Sequence, residues 1–262
     1  MVRCPTKFEM SNVSNLKSFL VHAIVCIGIV NAFNCVAEVS VKLVDLDPDE
    51  GVMESGAKLM SLPFGLHQLE THDDTSKGFL VGVHGYMSRG YEWVYPLQTI
   101  DNDDTTAMFF RWDFSKCPHT SAKQLVESLT EMLGKQEDIE RVTIVGHSLG
   151  GVLVATMVGE WKIKLPTDFH VVAAPLGGEN PRLKECGSVL PERILPTIRF
   201  FQWRTQHKLD GAYKDLEIDP QVVSIDGSLA ITLPKTYRER RLGHNWSVSY
   251  VADRIANASE DQ

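Results

Sequence analysis

The sequence predicts an α/β fold: a mostly parallel central sheet with helices on both faces and no large cap domain. Three observations predict it. Short apolar runs of strand length alternate with segments whose apolar residues recur at helical spacing. Several of the runs are apolar throughout rather than alternating, as strands buried on both faces are. The connections are short, Met87–Trp93 and Ala174–Leu195 among them, which leaves no room for a separate cap.

Each element follows in chain order. Residues 38–71 carry a weak pattern that suggests one or two antiparallel strands. Lys77–Val83 (KGFLVGV) reads as a buried strand that ends at His84-Gly85. Thr106–Trp112 is a second strand. Ser121–Leu133 is a helix, with Leu125, Val126, Leu129, Met132 and Leu133 on one stripe. Arg141–Val145 is a third strand and runs into Gly146-His147-Ser148-Leu149-Gly150-Gly151. Val152–Trp161 is apolar nearly all round, as a buried helix is. Phe169–Ala173 and Thr197–Trp203 are further strands. Val222–Asp226 and Leu229–Leu233 flank Gly227-Ser228 and read as a hairpin or edge strands. Asn245–Ala258 is a last amphipathic helix.

The amino-terminal segment has a different character. Phe19–Val30 is apolar except for His22, with Arg3, Lys7 and Lys17 before it and Cys35-Val36-Ala37 after it. A basic leader, a short apolar core and a small-x-Ala end describe a secretory signal peptide. The core is short for a membrane span, which needs about 20 apolar residues. An uncleaved anchor is the alternative, and membrane contact would then run through this segment. Met10 is a second candidate start. Residues 1–37 are therefore expected to be a signal peptide and residues 38–262 one domain, secreted or periplasmic.

The whole chain carries 26 basic and 34 acidic residues, a net charge of -8. An acidic balance argues against nucleic-acid binding. No HExxH, CxxC, Walker or EF-hand pattern occurs, so no metal or nucleotide site is indicated. Beyond residue 37 only Cys117 and Cys186 remain. In an exported chain they form either one disulfide or two separate thiols.

Gly146-His147-Ser148-Leu149-Gly150 fits G-x-S-x-G between a strand and a helix. There the turn must reverse within a few residues and hold the serine in an uncommon backbone conformation. That is tolerable only if the residues two away are tiny, and Gly146 and Gly150 are. Ser148 is the candidate nucleophile. His84-Gly85-Tyr86 ends the earlier strand. Attack on a carbonyl creates a negative oxygen that pre-aimed backbone N–H groups stabilise. The candidate donors are Leu149, next to the nucleophile, and Tyr86. His84 reads as a structural hydrogen-bonding residue.

The segments FLVGVHGYMSRGYEW and RVTIVGHSLGGVLVA resemble the α/β-hydrolase superfamily. Within it they are most similar to lipase- and esterase-type members, including inositol-deacylase-like lipases with a comparable HGY and GHSLGG pair. The close match covers about residues 77–160. The resemblance implies a serine nucleophile, an acid after a later strand, a histidine before the final helix, and no cofactor.

Ordered serine, acid, histidine, the remaining members lie downstream. Asp210 stands in the first loop beyond Thr197–Trp203 and is followed by glycine, with Asp215, Asp219 and Asp226 as competitors. Only His244 of the nine histidines lies beyond the acid. The candidate triad is Ser148, Asp210 and His244.

The expected reaction is cleavage of a small-molecule or lipid carboxylic ester through an acyl-enzyme on Ser148. The elbow alone leaves a peptidase, thioesterase or amidase open, and also a non-catalytic binding protein on this scaffold. Tyr86, Met87, Tyr91, Trp93, Trp112 and Phe114 are candidates for an acyl groove. Lys235, Arg238, Arg240 and Arg241 could attract an anionic group. Oligomeric state is not legible.

Overall fold

The computed structural model describes residues 40–49, 51–70, 76–102, 104–177 and 181–260. The segment 1–37, read above as a signal peptide, lies outside the described residues. Seven strands form one sheet in the order β1-β3-β2-β4-β5-β6-β7. They are β1 (Gly65–Gln68), β2 (Gly78–Val83), β3 (Thr105–Arg111), β4 (Arg141–His147), β5 (Thr167–Val172), β6 (Ile198–Arg204) and β7 (Ser228–Thr232). Only β1 runs antiparallel, against β3; every other pairing is parallel.

Two helical layers cover the sheet, and the pleat explains the division. Successive strand residues face opposite sides. Val81 and Val83 join one cluster with Leu125 and Leu129 of α3 (Pro118–Leu133) and Val152 and Leu153 of α4 (Leu149–Met157). Leu80 and Phe109 join the other. There they meet Leu59 of α1 (Val52–Ser61), Trp93 and Leu97 of α2 (Tyr91–Ile100), and Val248 and Val251 of α6 (Ser247–Glu260). A short helix, α5 (Pro181–Glu185), lies between β5 and β6. All six residues of β2 are buried, which is why its apolar run shows no alternation.

Several sequence readings are corrected. The stretch before residue 71 supplies one antiparallel strand, β1, and also helix α1. Helix α2 was read as part of a short loop. It holds Pro96 yet stays helical, because Trp93, Val94, Leu97 and Ile100 bury one stripe against the sheet. That burial outweighs the one helical hydrogen bond a proline removes. Val222–Asp226 is neither a strand nor half of a hairpin. Its end is tied to the loop before β6 by Ile194 N–H to Asp226 O at 2.8 Å and Asp226 N–H to Glu192 O at 2.9 Å. Ser228–Thr232 instead pairs in parallel with β6 as an edge strand.

A separate hairpin, β8 (Thr236–Tyr237) with β9 (Arg240–Arg241), leads into the last helix. Arg238 and Glu239 both have positive φ, 48° and 61°. Arg238 is anchored by its bond to Tyr95 Oη and by stacking 4.7 Å from the Tyr95 ring centroid. Tyr95 and Tyr237 both donate to Asp253 of α6 at 2.5 Å. The anchored hairpin fixes where the following loop, residues 242–246, begins. Cys117 and Cys186 form a disulfide with Cα atoms 5.5 Å apart, tying the start of α3 to the segment after α5.

Candidate active site

The parallel strands end at one rim of the sheet, where α/β folds place their sites. Three of those ends carry the candidate residues. Ser148 follows β4 with φ 54° and ψ -120°, a conformation L-residues avoid. Its N–H donates to Val172 O at 2.8 Å, and its C=O accepts from Gly151 at 3.0 Å. Close backbone approach demands the neighbouring glycines. A Cβ on Gly150 would lie 2.3 Å from Val83 O, and one on Gly146 would lie 2.6 Å from Gly150 O. The same closeness brings the end of β2 over the elbow. A Cβ on Gly85 would meet Ser148 Cβ at 3.0 Å.

His244 donates from Nδ1 to Asp210 Oδ2 at 3.0 Å. A carboxylate only accepts, so the imidazole proton sits on Nδ1 and Nε2 keeps its lone pair. Asp210 is fully buried. Burial alone would raise its pKa. The donors outweigh it: His244 through hydrogen bond and charge, Thr205 Oγ1 at 2.5 Å, and Ala212 N–H at 2.8 Å hold the carboxyl below the ordinary value. Thr205 is fixed in turn by Gln221, whose Oε1 accepts its N–H at 2.9 Å and whose Nε2 donates to its C=O at 3.2 Å. The competing carboxylates lie elsewhere. Asp215 is exposed, Asp219 accepts from Gln221, and Asp226 pairs with Arg193.

Ser148 and His244 border one pocket of about 120 Å³, together with Gly85, Tyr86, Ser88 and Glu92. Leu149 opens α4, in the turn where a helix leaves its N–H groups without intrahelical acceptors. His84 is completely buried and bonded on both nitrogens. Nδ1 donates to Gly85 O at 2.9 Å, so Nε2 must be the acceptor for Trp112 N–H at 3.2 Å. Gly85 C=O and Tyr86 N–H belong to one planar trans peptide and point in opposite directions. His84 therefore aims the Tyr86 N–H away from its own ring. Burial lowers its pKa to about 4, which keeps this donor–acceptor pattern in place near neutral pH.

Two further residues hold the site and are not legible in the sequence. His147 donates from Nε2 to the backbone carbonyl of His244 at 3.1 Å, with ring centroids 4.7 Å apart. Burial first, and the charge of His244 second, lower its pKa to about 3, so it stays neutral beside an imidazolium. Tyr213 packs edge-on against His244 with centroids 5.0 Å apart. Its hydroxyl proton goes to Ala173 O at 2.7 Å, so toward the neighbouring Ser148 side chain it presents only a lone pair.

The proposed acyl groove is corrected in part. Trp93 and Trp112 are each 1% exposed and belong to the core. Tyr86, Met87 and Tyr91 do border the pocket, and Phe114 supports Tyr86 at 5.1 Å between centroids. Two members of the basic cluster are engaged, Arg238 as described and Arg240 over Trp246 at 5.3 Å. Among the described residues, no group of three or more His, Cys, Asp or Glu is placed to hold a metal ion.

Comparison with known proteins agrees with this architecture. Residues 115–177, which include Ser148, match the family described as "Putative serine esterase (DUF676)". No curated protein matches the chain. Est1E from Butyrivibrio proteoclasticus superposes with a TM-score of 0.51 at 9% identity, over 75% of this chain and 92% of that one. The esterase domain of a Rhodothermus marinus protein gives 0.47 at 12% identity, over 75% and 91%. An α/β serine hydrolase without lid from Xanthomonas campestris gives 0.46 at 9%, over 75% and 87%. The chain thus shares its fold with Est1E, and its residues 115–177 are similar to the "Putative serine esterase" family.

Proposed function

We propose that the protein hydrolyses carboxylic esters through an acyl-enzyme on Ser148. The single observation that carries this reading is the strained Ser148 sharing a pocket with His244, whose Nδ1 is held by buried Asp210. His244 Nε2 takes the Ser148 proton as Oγ attacks the ester carbonyl. Negative charge moves to the carbonyl oxygen, which the N–H groups of Leu149 and Tyr86 receive. Each such donor is worth on the order of 3 kcal/mol of barrier. His244 then protonates the leaving alcohol. In the second half, His244 deprotonates a water that attacks the acyl carbon and restores Ser148. Asp210 stays ionised throughout and stabilises the imidazolium.

The leader-like segment and the Cys117–Cys186 disulfide support an exported protein trimmed of residues 1–37. Mass determination of the mature amino terminus tests that part. The hydrolytic reading is tested by a fluorophosphonate probe. The expected result is a single phosphonyl adduct mapped to Ser148 in the native protein and none after denaturation. An intact, native protein that takes up no probe would favour a binding role and overturn the reading.

A further inference from the structure

The hydrolytic mechanism gives no role to the side chain of Met87, and three observations single that side chain out. Met87 occupies the turn directly after Tyr86, whose N–H is one of the two oxyanion donors in the proposed mechanism, and it borders the pocket that contains Ser148 and His244. Its φ is 51°, in the left-handed region that residues with side chains rarely adopt. It also stays in solvent: Met87 is 67% exposed, although a methionine gains by burial. An apolar, unbranched, adaptable side chain left in water at the rim of a reaction pocket is placed to meet an incoming apolar group.

The same placement exposes its redox chemistry, because thioethers are oxidised where oxidant reaches them. Among the described residues Met53 is the next most exposed methionine at 47%, and it lies on α1, outside the pocket. Met108 and Met157 are completely buried. Cys117 and Cys186, the cysteines beyond residue 37, are already joined as a disulfide, so neither offers a competing thiol.

We propose that Met87 is a peroxide-sensitive modification site that governs how well acyl chains enter the pocket. A sulfur lone pair attacks one oxygen of hydrogen peroxide, the O–O bond breaks and an S–O bond forms. The other oxygen takes up the proton of the transferred one and leaves as water. Sulfur is oxidised and the peroxide is reduced, each by one electron pair. The product, methionine sulfoxide, puts a strongly polar group where an apolar one stood. An acyl chain then meets a hydrated S=O group, and a longer chain loses more contact than an acetyl group does. This role rests on the ester-hydrolase reading of Ser148.

Hydrolysis of p-nitrophenyl acetate and p-nitrophenyl butyrate by the purified protein, before and after graded exposure to hydrogen peroxide, tests it, with peptide mass spectrometry reporting sulfoxide at each methionine. Oxidation is expected first at Met87. The kcat/KM for the butyrate should fall about tenfold relative to that for the acetate, the scale of one apolar contact in substrate discrimination. That loss should track the Met87 sulfoxide and be reversed by a mixture of the two methionine sulfoxide reductases. Met87→Leu should keep its own butyrate-to-acetate ratio through the same exposure, and Met53→Leu should respond as the parent does. Oxidation of Met87 no faster than of Met108, an unchanged ratio in protein fully oxidised at Met87, or an equal loss in Met87→Leu overturns the proposal while probe labelling of Ser148 in the untreated protein stands. Untreated protein that neither labels nor turns over either ester defeats the Ser148 reading, and this role with it.

Discussion

His244 Nδ1 lies 3.0 Å from Asp210 Oδ2 across 34 residues of chain, and that one contact decides which nitrogen of the ring is basic. Asparagine at position 210 could present an N–H to Nδ1 and favour the opposite tautomer. Asp210→Asn is expected to lower kcat for p-nitrophenyl acetate on the order of 10⁴-fold, the size of effect this exchange has in a serine protease triad. Asp215→Asn should stay near the parent rate. Comparable losses in both variants would reject the assignment of the acid.

His147 is a positioning residue, since it holds His244 through a hydrogen bond to its backbone carbonyl and through ring contact at 4.7 Å between centroids. His147→Ala is expected to lower kcat about tenfold to a hundredfold with little change in KM. His147→Gln, which can place an N–H near the former Nε2, should recover part of the loss. A general loss of stability without this split, and without rescue by glutamine, would show a merely structural role.

Stability should fall in mild acid. His84, His147 and His170 are buried with pKa values lowered from 6.5 to about 4, 3 and 3. Between those values and 6.5 the unfolded chain binds protons that the folded one refuses, so unfolding becomes easier as pH drops. By pH 5 each histidine accounts for on the order of 2 kcal/mol. Urea midpoints should decline from pH 7 to pH 5, and His170→Phe should flatten part of that slope. A midpoint constant over this range would contradict the buried neutral state.

The Cys117–Cys186 disulfide closes a loop with a sequence separation of 69. A crosslink of that span stabilises a fold by about 4 kcal/mol through the unfolded chain. Reduction with dithiothreitol, or Cys186→Ser, is expected to lower the melting temperature by several degrees. Unchanged melting on reduction would show that the bond carries no such weight.

The inner strands β2, β3 and β5 are readable in the sequence because they are buried on both faces and so appear as nearly unbroken apolar runs, as in Gly78–Val83. Helices α1 and α2 are not. The first has a weak pattern, and Pro96 interrupts the second, whose stability comes from burial of Trp93 and Leu97 that only the fold reveals. The Ser148 turn, Asp210 and His244 stand out because chain order constrains them. His147 and Tyr213 do not, since each acts through a contact that sequence spacing leaves unspecified. His147 reaches a carbonyl 97 residues away, and Tyr213 reaches one 40 residues away. The disulfide was one of two readings that spacing left open, and only the 5.5 Å approach of its Cα atoms decides it.

Everything chemical rests on the oxygen of one side chain at the end of β4. Steady-state hydrolysis of p-nitrophenyl acetate by the parent and by Ser148→Ala, with folding checked by circular dichroism, addresses it most directly. The expected result is parent turnover that falls by about 10³-fold or more in a variant with an unchanged spectrum. Equal rates in the two proteins would contradict the account.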